Sequence, residues 1–208
     1  MNFFKNNILY IAAVLLAVGV LVYISMVALP KDTSTRVEPI VGNYAVSNEE
    51  VNLLFKYPAS VTGLALIEPP VEPGGMLKDA YVLMQTAEYI SFQSSTTESG
   101  TPPPPSISLF VFDLPPNVGE EDLSRDERLV RWATQNQSLT MYTASPDMVT
   151  TNIDGLDMYT YSVEGLYKRD VYLGAYRGNI YMFVGQYTDE TDPIREQFQA
   201  LLKTIEFQ

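Results

Sequence analysis

The feature that most constrains this chain is a charge-free apolar run near its N-terminus. Residues 8–29 number about 22, and as a helix they would be roughly 33 Å long, enough to cross the hydrocarbon core of a bilayer. The run is longer than the apolar part of a cleaved signal peptide, and it ends without a small-x-small cleavage site before Pro30. It is also apolar on all sides, which is unusual for a core helix. We therefore predict a retained transmembrane signal anchor, with the lipid bilayer as the partner of residues 8–29.

The anchor sets the predicted domain organisation. Residues 1–7 form a short N-tail, residues 30–43 form a polar tether, and a folded domain occupies residues 44–208. Basic residues stand on both flanks of the anchor, so the positive-inside comparison does not decide its orientation. A short N-tail followed by a long acidic domain favours the C-terminal domain outside the cytoplasm. The sequence thus predicts a single-pass protein of the cytoplasmic membrane with an extracytoplasmic domain.

Charge and composition exclude several classes of function. All 25 acidic residues and 12 of the 13 basic residues lie beyond the anchor, which gives that part of the chain a formal charge of −13. Such a surface repels phosphate backbones, so we predict no nucleic-acid partner. The chain has no cysteine and no histidine. Thiolate nucleophiles, Ser-His-Asp triads and histidine-bearing zinc sites are therefore excluded, and we predict no cofactor.

Alternating apolar residues and turn signals predict a largely antiparallel β domain. Pro58 is expected to end the first strand. Segments 80–87 and 89–94 are interpreted as two strands or as one bent strand. The last four strands are joined by turns at Asp154-Gly155, Glu164-Gly165 and Gly178-Asn179, which predicts a four-stranded meander. The predicted strands cover residues 51–57, 80–87, 89–94, 107–114, 148–153, 156–163, 169–176 and 180–187.

Two helices are predicted. The first covers residues 119–137, with an alternative start at Ser124, which could form a capping box with Glu127. Its predicted apolar face contains Leu123, Val130 and Ala133, flanked by Leu129 and Trp132. The second begins with Asp192 as N-cap and Pro193 as the first helical residue. Its apolar positions form one stripe suited to cover a sheet, and they are Ile194, Phe198, Leu201, Leu202 and Ile205.

Four stretches of the sequence carry a family resemblance. They are Phe55-Lys56-Tyr57-Pro58, the turn Asp154-Gly155 followed by Tyr159 and Tyr161, the strand Gly178-Asn179-Ile180-Tyr181-Met182-Phe183, and the closing helix with its tail at Phe207. Together they resemble the PsbP-like fold family, which takes its name from an extrinsic subunit of photosystem II. The resemblance implies an α+β fold, in which an antiparallel β-sheet is flanked by helices. It also implies an exported binding or assembly subunit without catalytic activity, so we lean against an enzyme.

The acidic residues offer two candidate sites. Asp189, Glu190 and Asp192 could bind Ca²⁺ through oxygen ligands, although the same positions suit the N-terminus of a helix. Asp154 and Asp157 could act as paired carboxylates, although Asp-Gly is also an ordinary turn. The structural role is favoured in both cases, and we predict no catalytic, cofactor-binding or metal-binding residue.

Aromatic and proline residues offer two candidate binding surfaces. The prolines at 102–105 favour a polyproline II segment, either a docking motif for an aromatic groove or a stiff loop. Tyrosines of the predicted sheet could form a platform for a glycan or a peptide, or could simply cover the sheet. These tyrosines are Tyr159, Tyr161, Tyr172, Tyr176, Tyr181 and Tyr187.

The leading hypothesis is a membrane-anchored extracytoplasmic binding or assembly module that meets an envelope protein and has no catalytic activity. The alternatives are a carboxylate-dependent hydrolase of envelope polymers and a tethered calcium or glycan sensor. Two carboxylates facing each other across a cleft, one of them in an apolar setting, would favour the hydrolase.

Overall fold

The computed structural model describes residues 42–59, 63–95, 102–116, 123–142 and 149–208. The predicted anchor at residues 8–29 and nearly all of the predicted tether lie outside these ranges. Within the ranges, no helix is long and apolar enough to cross a membrane. The anchor therefore stays a prediction.

Two antiparallel sheets make up the β structure of the described ranges. The large sheet has seven strands in the order β3-β4-β5-β9-β8-β7-β6, and the small sheet has the order β1-β2-β10. The small sheet consists of β1 (Gly42–Asn48), β2 (Leu53–Ala59) and β10 (Glu206–Phe207). The large sheet consists of β3 (Leu64–Ile67), β4 (Leu77–Gln85), β5 (Ser106–Asp113), β6 (Val149–Ile153), β7 (Leu156–Val163), β8 (Lys168–Tyr176) and β9 (Asn179–Tyr187).

Helices cover both faces of the large sheet. They are α1 (Thr86–Ser95), α2 (Arg125–Gln135), α3 (Gln137–Thr140) and α4 (Pro193–Leu202). One face buries a core with Phe55 of β2 and Phe198 of α4, and the other buries a core with Leu129 and Trp132 of α2. The predicted antiparallel sheet flanked by helices is thereby confirmed, because alternate residues of each central strand must be buried on opposite sides.

The C-terminal half follows the sequence prediction closely. Strands β6 to β9 form the predicted meander, and Asp154 and Gly155 have φ of 47° and 79°, as a two-residue hairpin turn of type I′ requires. The β8–β9 hairpin turns at Arg177 and Gly178, one residue earlier than predicted, since these two residues have the positive φ values. The predicted meander is therefore confirmed in the described ranges, and the position of one of its turns is corrected.

Helix α4 begins as predicted. The Asp192 carboxylate accepts a hydrogen bond from the Ile194 amide, and Pro193 occupies the first turn. The predicted apolar stripe is buried throughout. Phe198 packs directly on Gly185 of β9, where any larger residue would meet its ring. The missing side chain at Gly185 thus lets α4 lie close to the sheet.

Helix α2 begins at the alternative start. Ser124 and Glu127 form the capping box, and the regular helix runs from Arg125. Its buried face is Leu129, Trp132 and Ala133, while Val130 is only half-buried. The predicted face is therefore rotated, because the sheet takes the larger Trp132 ring inside and leaves Val130 at the margin.

Two predictions from local pattern are wrong. Residues 89–94 belong to α1, and Thr86, Tyr89 and Phe92 are half-buried at intervals of three, which is a helical spacing. Pro58 does not end its strand, since β2 continues to Ala59 and Pro58 pairs with Asn43 of β1. Strand β10 pairs with β2 only at Leu53 and Leu54, so the missing N–H of Pro58 interrupts no strand pair in the described ranges.

Candidate protein-binding surface

The three acidic residues considered as calcium ligands have structural partners. Asp189 accepts hydrogen bonds from the amide and hydroxyl of Thr191, which lower its pKa. Asp192 accepts from the amide and hydroxyl of Thr188 and caps α4. Glu190 pairs with Arg195 and, at 3.6 Å, with Lys168. Within the described ranges, no group of three acidic side chains is placed to hold a metal ion.

Asp154 and Asp157, considered as paired carboxylates, also have structural partners. Asp154 accepts the Phe207 amide at 2.7 Å and ties β10 to the β6–β7 turn. Asp157 accepts the side-chain amide of Asn152 at 2.8 Å. Asp157 thus stabilises the β6–β7 hairpin itself, and Asp154 ties this hairpin to the C-terminal strand, so both carboxylates have structural roles.

The six tyrosines do not share one surface. Tyr159 and Tyr161 lie on the α2 face of the sheet, where the Tyr161 hydroxyl donates to the Thr140 carbonyl. The other four lie on the opposite face, where Tyr172 packs edge-on against Phe198. The sheet separates the two groups, so they form no common aromatic platform.

Asp79 and Glu88 are two further acids that could serve as carboxylates of a hydrolase. Asp79 accepts hydrogen bonds from Asn48, Tyr81 and the Ala80 amide, and burial followed by the Asp79 hydrogen bond raises the pKa of Tyr81. The pKa of Glu88 is raised by partial burial and then by the charge of Asp192. Asp192, however, is fully engaged as the cap of α4, and neither cavity described below is lined by these acids.

A charged network joins β8 to the start of α4. Asp170 is 8% exposed and accepts hydrogen bonds from Ser162 at 2.8 Å and Tyr187 at 3.0 Å. The Arg195 guanidinium lies 3.4 Å from its other oxygen and 5.0 Å from the centre of the Tyr187 ring. A buried carboxylate is tolerated only with such partners, so the network holds the helix in register on the sheet.

Ionisation of Tyr187 is expected to weaken the domain at alkaline pH. Burial, followed by the hydrogen bond to Asp170, raises the pKa of Tyr187 to about 12 from its ordinary value of 10.0. The unfolded chain releases this proton first, so this contribution to the free energy of unfolding is complete below pH 10 and is lost as the pH rises towards 12. We expect Tyr187→Phe to flatten the decline across this window, measured by urea unfolding followed through Trp132 fluorescence. Equal slopes for the two proteins would contradict the assignment.

The outer side of α2 is flanked by two cavities. The larger, which we call the α2 groove, is an open apolar hollow of about 540 Å³ between α2 and β7. The smaller, which we call the α2 pocket, has a volume of about 160 Å³. The groove is lined by Asp126, Glu127, Val130, Arg131, Thr134, Gln135 and Tyr159. The pocket is lined by Pro115, Pro116, Leu123, Arg128, Arg131, Trp132 and Gln135.

Charges stand at the margins of the groove and apolar atoms at its floor. Burial and then the charge of Asp126 raise the pKa of Tyr159, which keeps its phenol neutral. The hydroxyl and amide of Ser124 lower the pKa of Glu127, so that carboxylate stays ionised at the rim. Arg128 donates twice to the Pro115 carbonyl and thereby fixes the wall of the adjoining pocket. An apolar floor with a charged rim suits a protein side chain better than a reacting substrate.

The proline run lies in the connection between α1 and β5. Residues 102–105 have no regular secondary structure, and the Tyr167 hydroxyl donates to the Pro103 carbonyl at 2.9 Å. This bond ties the segment to the β7–β8 turn. The arrangement agrees with a stiff loop.

The architecture defines the class of fold: the chain has a PsbP-like fold. The solution structure of cyanobacterial PsbP (CyanoP) from Synechocystis sp. PCC 6803 is similar, with a TM-score of 0.51 over 86% of this chain and 99% of that one. The two sequences are 14% identical, so the likeness shows the fold alone. No protein-family model and no curated protein matches the sequence.

Proposed function

We propose that this chain is a membrane-anchored extracytoplasmic module that binds or assembles an envelope protein through the α2 groove. The groove carries the proposal, because it is the largest apolar concavity among the cavities described above and its rim bears charges of both signs. The PsbP-like fold supports a non-catalytic role. The carboxylates considered for chemistry have structural partners, which also supports binding over hydrolysis.

The layout of the chain supports the location. The apolar run at residues 8–29 supplies the membrane anchor, and residues 30–41, which precede β1, supply a tether of at most about 40 Å. The acidic domain disfavours contact with anionic lipid headgroups. A domain held near the membrane and repelled from its surface is suited to meet another envelope protein.

Photo-crosslinking from the groove tests the proposal. A benzophenone amino acid at Thr134, which is exposed in the groove, is expected to capture one envelope protein reproducibly in cells expressing the full chain. The same amino acid at Lys203, exposed at the end of α4, is the control and is expected to capture at least about tenfold less, because only the groove is desolvated by the partner.

The orientation is measured at the same position. Because the chain has no cysteine, Thr134→Cys gives a single thiol that a membrane-impermeant maleimide labels in intact cells only if the domain is outside.

Equal capture from Thr134 and Lys203 would overturn the groove as the binding surface. Capture of cytoplasmic proteins alone would overturn the location.

A further inference from the structure

Among the strands that the structure describes, none pairs with the outer edge of β6. β6 ends the seven-stranded sheet and pairs only with β7 in the described ranges. Its type I′ turn makes Ile153 and Leu156 a hydrogen-bonded pair, so Thr151 and Val149 also bond to β7. The N–H and C=O groups of Thr150 and Asn152 therefore point away from the sheet, and no described residue bonds to them.

This edge lacks the features that usually prevent strand pairing. β6 has the sequence Val-Thr-Thr-Asn-Ile, with no charged residue and no proline, and its pairing with β7 has no bulge. Val149 is 61% exposed, and Thr150 and Asn152 are also exposed. The edge is thus a regular template for one more strand.

The strand is complementary to itself when two copies run antiparallel. A two-fold axis at Thr151 places Thr151 opposite Thr151, Thr150 opposite Asn152, and Val149 opposite Ile153. Thr151 opposite Thr151 is a favourable cross-strand pair, and no charge faces a like charge in this register. The same register aligns the outward backbone groups of Thr150 with those of Asn152, which gives four hydrogen bonds between the copies.

We propose that two copies of this chain associate through their β6 edges, antiparallel about Thr151, and so join their large sheets. A contact of two five-residue strands is smaller than the roughly 1,000 Å² of a stable interface. The pairing therefore rests on the proposed function for its membrane anchor, which confines the copies and raises their effective concentration. The uncharged strand adds no like-charge contact when two domains of formal charge −13 approach through it.

Single cysteines in the full chain test the register. In the proposed pair, the Cα atoms of residue 151 from the two copies lie about 4.5 Å apart across a non-hydrogen-bonded position, which a disulfide can bridge. Mild oxidation of membranes containing Thr151→Cys is expected to give a disulfide-linked dimer at least about tenfold more abundant than Val149→Cys gives. Val149 is the matched control, because it is exposed on the same side of the strand but does not face itself in this register.

A second pair of variants tests the backbone bonds. Added to Thr151→Cys, Thr150→Pro removes the outward N–H without removing a bond to β7, and it is expected to lower the dimer yield about tenfold or more. Thr150→Val keeps the N–H and is expected to preserve the yield. Trp132 fluorescence establishes that each variant is folded.

Several outcomes would overturn the pairing: no Thr151→Cys dimer in the folded protein, equal dimer from Val149→Cys, an unchanged yield with Thr150→Pro, or a disulfide to a different protein. If the chain is found in the membrane and captures its partner from Thr134 while Thr151→Cys forms no dimer, the proposed function stands and the pairing fails. If Thr151→Cys forms the dimer but the benzophenone at Thr134 captures no protein, the pairing stands and the groove fails as the binding surface.

Discussion

Gly185→Ala is expected to destabilise the folded domain by about 3 kcal/mol. A Cβ at this position would lie within 2.7 Å of the Phe198 Cγ and closer still to another ring carbon. Phe198 is fully buried between α4 and the sheet, so its ring has no space into which it can turn. The substitution therefore forces α4 away from β9. Thermal or urea unfolding of the purified full chain, followed by fluorescence of its single tryptophan, Trp132, measures the change.

Two controls separate this clash from a general effect of glycine replacement. Gly165→Ala adds a methyl group in a turn, where the nearest atom is 3.5 Å away, and is expected to change stability by less than about 0.5 kcal/mol. In a Phe198→Ala background, Gly185→Ala should lose most of its cost, because the ring that it meets is gone. Equal costs of Gly185→Ala in both backgrounds would contradict the packing argument.

Arg195→Met is expected to destabilise the domain by about 2 kcal/mol. The change keeps the side-chain stem over Tyr187 and removes the charge that faces the buried Asp170 carboxylate. Removing one partner of a buried ion pair costs about 3–5 kcal/mol. We expect a smaller loss here, because Arg195 is 34% exposed and Asp170 keeps two hydroxyl donors. Urea unfolding at neutral pH measures the loss.

A double-mutant cycle tests that mechanism. Asp170→Asn removes the buried charge, so Arg195→Met should cost about 1 kcal/mol or less when made on top of it. Lys168→Met is the control for a surface ion pair, since Lys168 lies 3.6 Å from Glu190 and 4.0 Å from Glu164, and it should cost under about 1 kcal/mol. Additive effects of Arg195→Met and Asp170→Asn would show that the two side chains are not coupled.

Some elements of the fold differ from what their local sequence patterns predict. The segment 89–94 is rich in residues that favour strands, yet it forms α1 because one helical face packs beside β3 and β4. β1 carries no clear apolar alternation and was absent from the predicted strands, because its order comes from pairing with β2. Such elements depend on neighbours that are distant in the sequence.

The candidate binding surface also depends on residues that are distant in the sequence. The sequence placed Val130 on the apolar face of the helix and left Tyr159 either in an aromatic platform or as cover of the sheet, whereas the structure places both in the α2 groove. No spacing rule brings residue 130 next to residue 159. The pairing of Asp170 with Arg195 is likewise a contact across 25 positions, although the identities of both residues were visible. Packing of α2 on β8 and of α4 on β9, beside the strands that carry Tyr159 and Asp170, creates these sites.

By itself, the sequence determined the features that depend on neighbouring residues: the apolar run at residues 8–29, the meander with its Asp154-Gly155 turn, and the capped helix α4. It also excluded cysteine and histidine chemistry. The tertiary structure alone decided which face of α2 is buried, that the tyrosines are divided between two faces, and that no described strand pairs with the outer edge of β6. The physical reason is range: turns, caps and periodicity act over a few residues, whereas grooves and sheet edges arise only where distant segments pack.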